Sequence, residues 1–170
     1  MPDITSDFID RLKTNGREAR IMGVTARAVS QSNPAGPLVG EAGIHTWFYF
    51  KVRNGGAWDL KNNVYKKYKS TGVDIGGRHY ENDMPGNFHY GFVGRAAGFP
   101  TAELNWAAGQ AQKRAGTSRP EFECTFGDDP EDYEFIRLGA KLYDTYGMDF
   151  TEADLKKVLA EFSPPVCTTK

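Results

Sequence analysis

Between His79 and Phe99 the chain reads HYENDMPGNFHYGFVGRAAGF, which sets carboxylates at Glu81 and Asp83 near the imidazoles of His79 and His89, the amide of Asn87 and the phenol of Tyr90. These are the groups that hydrolysis of a polar bond uses. One acid or imidazole donates a proton, a second carboxylate activates water or stabilises a developing cation, and amides hold the substrate. Read as extended chain, Glu81, Asp83, Asn87, His89 and Gly91 recur with a period of two on one side. Phe88, Tyr90 and Phe92 take the other side, as anchors to a core beneath.

Two further acidic positions stand apart in the sequence. Asp128 and Asp129 precede Pro130, where one carboxylate suffices to cap a helix and the other is free to point into a cleft. Asp59 and Lys61 follow Trp58, and there a carboxylate bonded to loop amides and a catalytic one are equally compatible with the residues. Trp47 and Trp58 fit either a core or a sugar platform. His89 fits either a packed imidazole or a proton carrier. The candidates are therefore Asp83, Glu81, His89, Asp59 and Asp128 for catalysis, and Asn87, Tyr90, Lys61, Trp58 and Asp129 for substrate binding. With no CxxC pair and no HExxH, no metal site or cofactor is expected.

Charge separates the chemistries. A net charge of -1 at pH 7 argues against the strong phosphate attraction of a nucleic-acid binder, so carboxylate chemistry on a glycan is favoured over phosphodiester cleavage. The charge is uneven: Lys61, Lys66, Lys67, Lys69 and Arg78 make a basic middle, whereas residues 119–154 hold eleven carboxylates against three bases. A ribonuclease remains the alternative, with His89, His79 and Lys61 as its acid, base and phosphate contacts. A non-catalytic wall-binding module is the third, and it predicts a flat, open polar face.

The elements that position these groups follow from periodicity. Thr5 and Ser6 start a short helix carrying Phe8, Ile9 and Leu12, which Asn15-Gly16 is expected to break. A second helix follows over 17–31 with Ile21, Val24 and Ala28 inward, stopped by the segment 32–37. A third spans 41–53. Residues 64–91 read as short strands or an irregular hairpin. Thr101 starts a helix ended by Gly116, Asp129-Pro130 starts another, and Thr151 starts the last, with Leu155, Val158, Leu159 and Phe162 inward. The sum is a mainly α (α+β) fold: a compact helical single domain over 1–170 with one small β-hairpin, lysozyme-like in size. Within it, 1–38 form a helical first part and 151–162 the last helix. No apolar run approaches the roughly 20 residues of a membrane span, and Met1 to Asp10 lacks the pattern of a signal peptide. Cys124 and Cys167 allow one disulfide, which only geometry decides.

Three blocks in order carry a likeness: Trp47-Phe48-Tyr49 through Gly55-Gly56 to Trp58-Asp59-Leu60-Lys61; Asp83 to Gly98 around Gly86-Asn87-Phe88-His89-Tyr90-Gly91; and Gly127-Asp128-Asp129-Pro130 with Asp132, Ile136 and Gly139. With Ala108-Gly109 and Gln112 between them, residues 40–147 resemble the bacterial toxin 44 family, also called polymorphic toxin type 44. The chain departs from the family pattern at Leu60 and at Pro85-Gly86. The resemblance implies an effector tip of a bacterial conflict system, secreted or delivered to a target cell, with an immunity protein as partner. Family members have been treated as ribonucleases, while the same blocks are similar to SH3-linked cell-wall-lytic muramidases, whose substrate is peptidoglycan. The expected activity is thus that of an antibacterial hydrolase cutting glycan strands of the cell wall.

Overall fold

The computed structural model describes residues 1–32 and 34–168, the side chain of Tyr65 excepted. Asn33, part of the expected breaker, lies outside the described residues. The chain folds into helices α1 (Thr5–Ser32), α2 (Gly36–Val52) and α3 (Leu60–Tyr68), a hairpin of β1 (Gly72–Ile75) and β2 (Arg78–Glu81), then α4 (Asp83–Ala97) and α5 (Thr101–Ala115). A 3-10 turn at Pro120–Thr125 leads into α6 (Pro130–Tyr146) and α7 (Glu152–Leu159). The strands pair antiparallel with Val73 opposite Tyr80, and Asp3 bridges to Asp74 beside them. The result is a mainly helical, compact domain with one small hairpin, as the sequence predicts.

α4 is the central helix, and it overturns the extended reading of residues 83–91. Phe88 and Phe92 lie four apart as well as an even number apart, so their spacing satisfies a helix, and burial of Met84, Pro85, Phe88, His89, Phe92, Val93 and Ala96 follows the helical repeat. Gly98, left-handed with φ 103°, closes the helix by donating its N–H to Arg95. Phe8 of α1 meets Phe88 edge-on, and Phe92 meets Phe150 and Tyr143 in the same way. Such rings bury enough apolar area to hold a helix of only modest intrinsic propensity.

Two glycine positions explain the packing around α4. A Cβ on Gly91 would sit 1.9 Å from the Ile136 carbonyl oxygen, and one on Gly139 would sit 1.9 Å from that of Phe88. The backbones of α4 and α6 therefore touch directly, which no side-chain-bearing pair permits at this distance. Gly16 corrects a second expectation. α1 runs unbroken through Asn15-Gly16, because a Cβ at Gly16 would lie 2.6 Å from Met148 and 2.8 Å from Phe92, so this glycine serves a close approach and not a turn. One continuous helix also keeps one stripe: Phe8, Leu12, Gly16, Ala19 and Gly23 face inward, leaving Ile21 and Val24 exposed.

Residues 64–68, expected to begin the β region, belong instead to the helix α3. Asp59 supplies the start signal, its Oδ1 accepting from the Asn62 backbone N–H at 3.1 Å. The later helices match their signals. Asp129 caps α6 through the Glu131 N–H, Thr151 and Asp154 form a capping box for α7, and left-handed Gly116 closes α5. Cys124 and Cys167 are bonded, with Cα atoms 5.5 Å apart, tying the segment after α7 to the 3-10 turn.

Candidate active site

On a helix, residues 83, 86, 87 and 90 share one face, and that face of α4 opens onto a cavity of about 600 Å³. The N-terminal halves of α4 and α6, the start of α3 and one side of α5 surround it. Phe48, Trp58, Tyr90 and Phe99 form an aromatic wall, while Tyr49 and Trp106, both more than half exposed, stand at its mouth. Size and lining suit a ligand with apolar faces and a few polar anchors.

At the polar end three carboxylates converge: Asp83, Asp128 and Asp132. The direct α4–α6 contact places Asn87 Nδ2 2.6 Å from Asp132 Oδ1, and Gln112 of α5 donates to Asp132 Oδ2 at 3.3 Å. Burial pushes the Asp132 carboxyl up to about 7, with the charges of Asp128, Asp83 and Asp129 adding to the effect and Lys61 opposing it. Burial likewise raises Asp128 to about 7; the Asp129 charge adds to this, against a backbone hydrogen bond from Asp129 and the Gln112 amide. Asp128 Oδ2 is buried without a hydrogen-bond partner among the described residues. Two neighbouring carboxyls that resist ionisation, beside an amide that touches them, are equipped to donate a proton near neutral pH.

The sequence-derived candidates divide. Asp83, Asp128, Asn87, Tyr90, Lys61, Trp58 and Asp59 line this cavity. Asp59, however, has both oxygens engaged: besides the Asn62 N–H, its Oδ2 accepts from Gly55 N at 2.8 Å and Asn62 Nδ2 at 2.6 Å. Burial favours its neutral form, but these bonds outweigh burial and hold its carboxyl below the usual range. Asp59 therefore acts as the cap and clasp of a loop. Trp58 is 5% exposed and packs edge-on against Trp47, which makes it core first and cavity wall second. Tyr90 donates to the Leu104 carbonyl oxygen at 3.3 Å.

Glu81, Asp129 and His89 lie elsewhere. Glu81 and Asp129 border a second hollow, and Asp129 spends one oxygen on capping α6. His89 borders neither. Its position on α4 turns it inward to Asn15 of α1, 2.9 Å from Nε2, with Trp58 against its ring. Desolvation, assisted by the Arg11 charge, lowers it to about 3, so the imidazole is neutral in the folded protein. The period-two reading put His89 beside Asp83; the helical period separates them. The same error hid Asp132 and Gln112 as site residues, since only the crossing of α4, α5 and α6 brings them to Asn87. Their one sequence signal was their place in the blocks quoted above.

No group of three or more His, Cys, Asp or Glu side chains among the described residues is arranged to hold a metal ion. The profile of one known family, bacterial toxin 44, matches residues 47–145, more than half of the chain. The protein belongs to the bacterial toxin 44 family. No curated protein and no solved structure matches it. Within the stretch shared with that family fall Asp83, Asn87, Gln112, Asp128 and Asp132, whereas Asn15, which holds His89, falls outside it. No helix among the described residues is long and apolar enough to cross a membrane.

Proposed function

We propose that this toxin is a hydrolase of peptidoglycan glycan strands, working by carboxylate acid–base chemistry of the muramidase kind. The observation that carries the reading is the pair of raised carboxyls, Asp128 and Asp132, set with Asp83 at the end of an aromatic-walled cavity. Glycosidic cleavage needs one carboxyl still protonated near neutral pH and a second that is ionised, against a wall on which sugar rings can lie. Asp132, with its proton held by burial and its orientation fixed by Asn87 and Gln112, donates to the departing glycosidic oxygen. Asp83 stabilises the oxocarbenium-like centre or activates water. Of the catalytic candidates named from the sequence, Asp83 thus takes the partner's role, while the acid, Asp132, was not among them.

Asn87 and Lys61 supply hydrogen bonds to substrate hydroxyl and N-acetyl groups, and Tyr49 and Trp106 give exposed ring faces at the mouth. A ribonuclease is less well supported, because its best imidazole, His89, is buried and neutral away from the cavity. A flat binding module fits poorly with a recess of about 600 Å³ lined by perturbed acids. As for any such toxin, the producer needs protection, and an immunity protein would do this by covering the cavity mouth.

The test is a side-by-side assay. Wild-type protein should clear purified cell walls with release of reducing sugar ends and leave RNA intact, while Asp132→Asn and Asp83→Asn each lower wall clearing at least 100-fold. Degraded RNA with intact walls would instead identify a ribonuclease.

A further inference from the structure

The second hollow is not separate from the first. It has a volume of about 940 Å³, and Lys61, Asp83, Gln112 and Asp132 line both. The acids therefore stand on a saddle between two lobes, one walled by aromatic rings from α2 and α4, the other by the hairpin, the start of α6 and the segment after α7. A site that ended at its catalytic acids would suit removal of a terminal sugar. A depression continuing past them on the far side suits a chain that enters by one lobe and leaves by the other.

The far lobe is also built differently. Its outer wall consists of Phe162, Pro164, Pro165 and Val166. Phe162 stacks on Phe135 with centroids 4.4 Å apart, and the Ser163 N–H donates to buried Glu134 at 3.3 Å, so the wall is anchored up to Ser163 by packing. Beyond that point Cys167, bonded to Cys124, holds Pro164, Pro165 and Val166 in place. Besides the shared acids, the lining sets Lys61, Arg119 and His79 against Glu81, Asp129 and Glu131, so acids outnumber bases, which suits an uncharged polymer and opposes a polyanion.

Resting on the glycan reading above, we infer that the far lobe is a second binding subsite for the same strand of N-acetylated sugars. It accepts the sugars beyond the scissile bond, its outer wall is completed by the Cys124–Cys167 disulfide, and cleavage is internal to the strand.

The experiment compares long purified wall-glycan strands with a short oligosaccharide of the same sugars, for the wild type, Pro165→Trp and the double variant Cys124→Ser/Cys167→Ser. Each variant is first checked for fold by circular dichroism. The wild type should release mid-length fragments early from long strands. In both variants kcat/KM for long strands should fall at least fivefold relative to kcat/KM for the short substrate. A wild type that cleaves both substrates, with the ratio unchanged in folded variants or with products trimmed one unit at a time from strand ends, would overturn the subsite alone. Failure of the wild type to cut either substrate would overturn the glycan reading and this inference with it. Pro165→Trp retains the disulfide, so it still decides the matter should the double variant misfold.

Discussion

The titrating groups of this protein pull its stability in opposite directions. Asp128 and Asp132 have folded-state values near 7, well above an ordinary carboxyl. The folded protein thus holds their protons more tightly than the unfolded chain, and stability is lost as pH rises from about 4 through 7. His89 does the reverse. Its folded value near 3 lies below the ordinary imidazole, so stability is lost as pH falls from about 6.5 towards 3. Asp132→Asn should therefore raise the Tm at pH 8 by about 5 °C and leave it nearly unchanged at pH 4, where both carboxyl and amide are neutral. Melting curves from pH 4 to 9 check this; a Tm difference independent of pH would contradict the buried-acid account. His89→Ala should destabilise by about 2–4 kcal/mol, through the cavity it opens and the unpaired Asn15 amide it leaves, as read by urea denaturation. Its activity per folded molecule should stay within about threefold of wild type, because the ring lies outside the cavity.

Helix geometry decides which residues meet. The four-residue contact of Gly91 and Gly139 with the opposing backbone sets α4 against α6, and with it the Asn87–Asp132 bond. Gly139→Ala should cost about 3 kcal/mol or more by overpacking. On the proposed function it should also lower wall clearing beyond what the loss of folded protein explains, since separating the helices pulls Asn87 from Asp132; chemical denaturation alongside activity corrected for folded fraction would show this. The elements marked by strong local chemistry were legible in the sequence: Asp129-Pro130 opens α6, Thr151 and Asp154 box the start of α7, and Gly116 closes α5. Residues 83–97 were not, because rings at 88, 90 and 92 satisfy a period of two while Met84, Phe88 and Phe92 satisfy a period of four, and only burial on nearly every side of α4 resolves the ambiguity. Asn15-Gly16 misled for a related reason. A dipeptide that usually turns a chain here faces Phe92 and Met148 across a helix contact that sequence spacing cannot reveal. The candidate site was legible as a set of residue types, but its membership depended on helix crossing: Asp132 and Gln112 joined, and His89 left.

Taken whole, the molecule combines a core centred on α4 with a single covalent staple. The disulfide joins residues 43 apart, and in the chain-entropy account closing such a loop stabilises by about 4 kcal/mol. Reduction should accordingly lower the midpoint of urea unfolding while leaving far-ultraviolet circular dichroism of the native state close to that of the oxidised form. An unchanged midpoint would mean that packing of Phe162 and the Glu134 contact already fix that segment. α1 matters in a different way. It precedes the stretch that matches the toxin family, yet it supplies Phe8 to the ring of Phe88, Asn15 to His89 and the Gly16 notch for Phe92. The unit that folds is then larger than the recognisable stretch: a graft cut at residue 47 would leave behind the helix that closes its own interior.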